Sequence, residues 1–191
     1  MLDNETKLVE TVARPPKFKA FRRTQLVLGW WGLLLLIGGS LHNMNASPKA
    51  WGFPTVLAMW VALNVVGFLV TYWLQPTMLR AGILFVWLFL TLSSLFLTWL
   101  IAFPLINTGR PFVSAIWHLV FAVGYWLTGY YMDRRLWWLA VWESLVAVLM
   151  LIFVGITSSA PDFIANNLGL TLGLSSGIPL LIAALPIWKR R

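Results

Sequence analysis

The sequence predicts an all-α integral membrane protein, a bundle of six transmembrane helices with both termini in the cytoplasm. Three observations carry this expectation. The 191-residue chain is 60% hydrophobic and only 10% charged, with a mean hydropathy of +0.80. An average soluble domain is about 25% charged, so lipid must be the solvent for most of this surface. The apolar residues gather into six runs, each near the roughly 20 residues that cross a bilayer. Finally, Lys and Arg fall unevenly between the connections, which gives the runs an orientation.

The first 23 residues are polar and basic, with Pro15-Pro16 ahead of a basic cluster at 17–23. They read as a cytoplasmic tail ending in a short interfacial stretch. The transmembrane domain is expected over 24–188, and residues 189–191 form a basic cytoplasmic C-terminus. Within the domain the spans are expected at about 25–41, 53–74, 82–106, 112–132, 136–157 and 167–188. The first is the shortest. It reads as a retained helix, because the run outlasts a signal-peptide core and no small-x-small cleavage site follows. The connections carry turn chemistry: Ser47-Pro48, Gln75-Pro76, Gly109-Arg110-Pro111, Asp133-Arg134-Arg135 and Ala160-Pro161-Asp162. The thirteen Trp and four Tyr suit anchoring at the headgroup level.

Six spans put twelve of the fourteen Lys and Arg residues on the side of the termini and leave only Lys49 and Arg110 on the other. Positive charge is retained in the cytoplasm, so both termini are expected inside. The pattern fits a prokaryotic inner membrane. The net charge of +8 is therefore a topology signal first. The 17–23 cluster would also attract anionic lipid, at about 1 kcal/mol per charge near the surface. The basic residues are spread over several membrane-flanking places and form no binding module, so nucleic acid is not an expected partner.

Glu143 is the carboxylate placed inside a span, and His118 is the other ionisable group at comparable depth. A charge at mid-membrane costs roughly 2.5–3.5 kcal/mol on insertion scales, so such groups are paired, protonated or functional. At 1.5 Å per residue, His118 lies roughly 9 Å below the outer boundary and Glu143 roughly 10 Å from the inner one. In a core about 30 Å thick they differ in depth by roughly 10 Å, which argues against a direct ion pair. Tyr125 is two turns beyond His118 on the same face and comes closer to the depth of Glu143. The expectation is a polar ladder of His118, Tyr125 and Glu143, with Thr128 as a further donor. The plain alternative is a protonated, structurally hydrogen-bonded Glu143, or one turned towards Arg134 or Arg135.

Other polar groups are weaker signals. Asn64 sits mid-span, where its amide wants an interhelical partner. The hydroxyls of Thr91, Ser93, Ser94, Thr98, Ser175 and Ser176 can bond to their own helix carbonyls and need no function. In span six, Gly169, Gly173 and Gly177 share one face and let another backbone approach, within the chain or across a dimer seam. Pro179 follows, so a kink near Gly177 is expected. Two histidines, His118 and His42, could ligate a b-type haem or a chlorophyll-type pigment.

The absence of Cys excludes disulfides and thiolate chemistry. No P-loop, HExxH or GxSxG motif occurs, and no clear internal repeat. Three functions remain. The first is a non-enzymatic binding or accessory subunit of a membrane assembly, homo-oligomeric or part of a larger complex. The second is a proton-linked small-molecule carrier using Glu143, Tyr125, His118 and Asn64. The third is a haem or pigment protein.

Overall fold

Long apolar runs between turn-forming residues give a chain whose regular structure, among the described residues, is entirely helical. The computed structural model describes residues 17–45, 53–76, 82–102, 110–157 and 167–185. Helix α1 is Lys17–Asn45, α2 Phe53–Leu74, α3 Ile83–Ala102, α4 Arg110–Tyr131 and α5 Trp137–Thr157. A last helix is built from α6 (Leu168–Leu172), a π-helical turn (Gly173–Gly177) and α7 (Ile178–Ala184). Among the described residues, five helices are long and apolar enough to cross a membrane, and the apolar stretch Gly169–Ala184 is a sixth, shorter one. These features fit a helical membrane bundle.

Three element boundaries differ from expectation, one being the end of α1, which runs on to Asn45 past the expected 41. The basic cluster at 17–23, expected as part of a tail, is helical and continuous with the first span. Nothing in that segment breaks a helix once Pro15-Pro16 has passed. The last helix stops at Ala184, short of 188, because Leu185 is already extended (φ −68°, ψ 142°) ahead of Pro186. The connections at 46–52, 77–81, 103–109 and 158–166 lie outside the described residues, as do the first 16 and last 6 residues.

The α4–α5 connection is built locally. The Asp133 carboxylate caps a 3₁₀ turn (Arg134–Leu136) by accepting from the Arg135 backbone N–H at 3.1 Å. The Arg134 guanidinium lies 5.8 Å from the centre of the Trp137 ring. This tight turn makes α4 and α5 antiparallel neighbours. We call their turn end, shared with Arg23 of α1, the arginine end of the bundle. The opposite end, where the Asn43 amide donates to Asn167 Oδ1 at 2.7 Å, is the asparagine end.

Glycine sets a backbone-to-backbone contact in the bundle. The last helix lies antiparallel along α1, with Gly169 and Gly173 against Gly39, and Gly177 against Gly32. A Cβ on Gly32 would stand 2.9 Å from the Gly177 carbonyl oxygen, and one on Gly173 would stand 2.8 Å from the Leu35 oxygen. Backbone therefore packs on backbone, as small-residue seams allow. The three glycines of the last helix meet α1 within the chain and so are covered there.

A second packing device appears twice. Trp31 of α1 donates its indole N–H to Thr71 Oγ1 at 2.8 Å, and Thr71 donates onward to the Gly67 carbonyl. Trp87 of α3 donates to Thr128 Oγ1 at 2.8 Å, and Thr128 donates to the Gly124 carbonyl. In both, the indole ring lies over the glycine four residues before the threonine. The absence of a side chain there admits the ring, and the threonine satisfies its N–H within the packed interface. α2 is thereby fixed to α1, and α3 to α4. Both outer helices present large apolar side chains outward, including Leu69, Trp73, Phe85, Phe89 and Phe96.

Candidate functional site

The last helix is irregular for a reason legible in its residues. Pro179 has no backbone N–H and cannot serve the carbonyl of Ser175, four residues earlier. The Trp142 indole of α5 supplies that missing donor, at 2.7 Å from the Ser175 oxygen. Just before the proline the backbone widens into the π turn, flanked by Gly173 and Gly177. Such turns interrupt helices at functional sites more often than elsewhere. Here the turn brings two consecutive serines, Ser175 and Ser176, onto one imidazole.

That imidazole is His118 of α4. It and Glu143 of α5 are both fully buried. His118 Nδ1 is 2.5 Å from Glu143 Oε2, and Ser176 Oγ donates to the same Oε2 at 3.0 Å. Ser175 Oγ is 3.1 Å from His118 Nε2. Glu143 Oε1 is buried with no partner among the described residues.

These contacts constrain the protons. Ser175 Oγ lies 2.6 Å from the Thr171 carbonyl oxygen, which can only accept, so the serine proton is committed there. His118 Nε2 must then carry a proton and donate it to Ser175. One further proton lies between Nδ1 and Oε2. It belongs to an imidazolium–carboxylate pair or to a neutral imidazole beside a carboxylic acid. The couple is net neutral in both forms, which is how a carboxylate and an imidazole can share an interior where isolated charges are costly.

The direct His118–Glu143 contact corrects the expected ladder. Depth counting treated both helices as upright and the side chains as points, whereas the extended Glu and imidazole side chains meet. Tyr125 is not the group that holds Glu143. It is buried in the aromatic core, with its ring centre 5.2 Å from that of Trp87 and 6.3 Å from that of Phe121. Thr128 is the partner of Trp87. Asn64 donates to the Trp60 carbonyl of its own helix at 2.8 Å. Neither Thr128 nor Asn64 contributes a hydrogen bond to the couple.

Haem or pigment ligation needs a ring nitrogen available to a metal. Both His118 nitrogens are held by protein groups. His42 Nδ1 accepts from the Trp60 indole at 3.2 Å. His118 as placed does not fit an axial ligand. Among the described residues, no three His, Cys, Asp or Glu side chains come together as a metal site.

Ser175, Ser176 and Trp142 are the site residues that sequence reasoning passed over. Hydroxyls in spans usually bond to their own helix, and Ser175 does so while still accepting from His118. The available signal was the spacing of Pro179 from Ser175, which leaves one carbonyl without its donor. Comparison with protein-family models, curated proteins and solved structures gave no match.

Proposed function

We propose that this chain is a six-span protein of a prokaryotic cytoplasmic membrane and a small proton-linked carrier. In this reading both termini are cytoplasmic, the arginine end faces inward, and the His118–Glu143 couple is the proton-binding centre. The observation that carries the reading is the fully buried couple, fixed between α4, α5 and the π turn of the last helix. Ionisable groups inside spans mark proton relays and substrate paths. Only one proton separates the net-neutral couple from a charged one, and the unpartnered Glu143 Oε1 is a ready acceptor for it or for a substrate donor. The Lys and Arg bias supports the orientation. An accessory subunit could assemble through the glycine face of the last helix and through lipid-facing aromatics. Those glycines meet α1, which leaves that reading only the aromatic surfaces of α2 and α3, and these suit lipid equally well.

A test without a known substrate is a pH step applied to proteoliposomes on a solid-supported membrane. The native protein is expected to give a transient current as the couple takes up or releases protons. Glu143→Gln keeps the contact with Nδ1, since its amide can donate there, with Ser176 Oγ turning from donor to acceptor, yet it cannot exchange a proton. Its current should vanish. Equal currents from both proteins would refute the proton-binding role.

A further inference from the structure

We infer that a file of water joins the asparagine end of the bundle to the His118–Glu143 couple, while an apolar plug seals the couple from the arginine end. This rests on the proton-binding reading and adds to it a side of access: in the state the structure shows, the couple exchanges protons with the outer face.

The helix registers place the polar groups in layers. α4 and the last helix run parallel from the asparagine end, and His118 meets Ser175 across them. One turn nearer that end, about 6 Å at 1.5 Å per residue, stand Ser114 on α4 and Thr171 on the last helix. One turn further, Asn167 pairs with Asn43 of α1. Each layer holds a buried polar atom with no partner among the described residues: Glu143 Oε1, then Ser114 Oγ and Thr171 Oγ1, then Asn43 Oδ1. The other two such atoms, Trp30 Nε1 and Gln75 Oε1, lie on α1 and beyond α2, nearer the arginine end. Buried polar atoms are hydrogen-bonded almost without exception, and water is the partner where protein supplies none. Four oxygens without a partner among the described residues, on successive turns that lead to the carboxylate, mark a path for hydrated protons.

On the other side of the couple the same registers turn apolar. One turn towards the arginine end, His118 is followed by Phe121, Ser176 by Leu180, and Glu143 by Leu139 and Ala140. All four belong to the buried core cluster, together with Leu28 and Leu136. The other titratable side chains within the packed spans are His42 on α1 at the asparagine end and Tyr125 on α4 inside this plug. Tyr72 near the end of α2, and Tyr130 and Tyr131 of α4, are exposed at the arginine end.

The chain has no native cysteine, so single cysteines can be read directly. In right-side-out vesicles, Ser114→Cys and Thr171→Cys should react with a membrane-impermeant trimethylammonium methanethiosulfonate added outside. Leu139→Cys should react from neither side, in right-side-out or inverted vesicles. Ser114→Ala combined with Thr171→Val should keep the pH-step current but slow its rise. A pH-step current in the two hydroxyl-to-cysteine variants with no labelling from outside would overturn the water file. Labelling from the inside only would overturn the assigned side. Labelling from outside with no current in the native protein would remove the proton step instead, and the two failures are thereby distinguished.

Discussion

Replacing Gly39 by leucine is expected to abolish the folded bundle. A Cβ at this position would overlap the Gly169 carbonyl oxygen and stand 3.0 Å from the Gly173 Cα. The obstacle is backbone, which cannot rotate away as a side chain can. Overpacking in a close-packed interior costs typically 1–3 kcal/mol, and a clash with backbone belongs at or above the top of that range. Separating α1 from the last helix would also withdraw the serines from His118. Unfolding by detergent titration, followed through tryptophan fluorescence, measures the effect. Gly29→Ala is the graded control, since its new Cβ would meet only the Ala184 Cβ, at 3.3 Å. A Gly39→Leu protein as stable as Gly29→Ala would contradict the seam.

The second large effect belongs to the couple. His118→Leu is expected to destabilise the protein by about 3–5 kcal/mol, because it leaves a buried carboxylate without its partner. Adding Glu143→Leu should return most of that loss, since a buried ion pair can be exchanged for apolar residues of similar volume at little net cost. The same detergent titration on the two single variants and the double variant gives the coupling directly. Additive losses would mean that the two side chains do not depend on each other, against their 2.5 Å contact.

Much of the architecture was legible because lipid imposes it. A backbone in hydrocarbon must satisfy its own hydrogen bonds, so long apolar runs can only be helices, and their ends follow from charge and turn residues. The glycine face of the last helix was legible as a close contact, but its partner was not. Gly32 and Gly39 oppose it from more than a hundred residues away, and spacing within one helix says nothing about which helix it meets. The paired Trp–Gly–Thr devices were hidden for the same reason. Trp31 and Trp87 look like two among thirteen tryptophans until Thr71 and Thr128 are seen beneath them.

At the site, Glu143 and His118 stood out because ionisable groups are rare in spans. Their contact did not, since depth along separate helices is a poor guide to where extended side chains meet. The serines were hidden more deeply. An ideal α-helix turns successive residues by about 100°, so Ser175 and Ser176 would not face one imidazole together. In the π turn ahead of Pro179 the two hydroxyls reach the imidazole at different ring nitrogens, Ser175 at Nε2 and Ser176 at Nδ1.

The central claim is that Glu143 exchanges a proton within its hydrogen-bonded couple. Infrared difference spectroscopy of the protein in lipid, recorded across a pH titration, observes this directly through the carboxylic acid C=O stretch. In the native protein a protonated-carboxyl band from a buried group is expected to appear or disappear with pH, and it should be absent in Glu143→Gln. A spectrum in which Glu143 contributes no pH-dependent band, with the native fold intact, would contradict that claim.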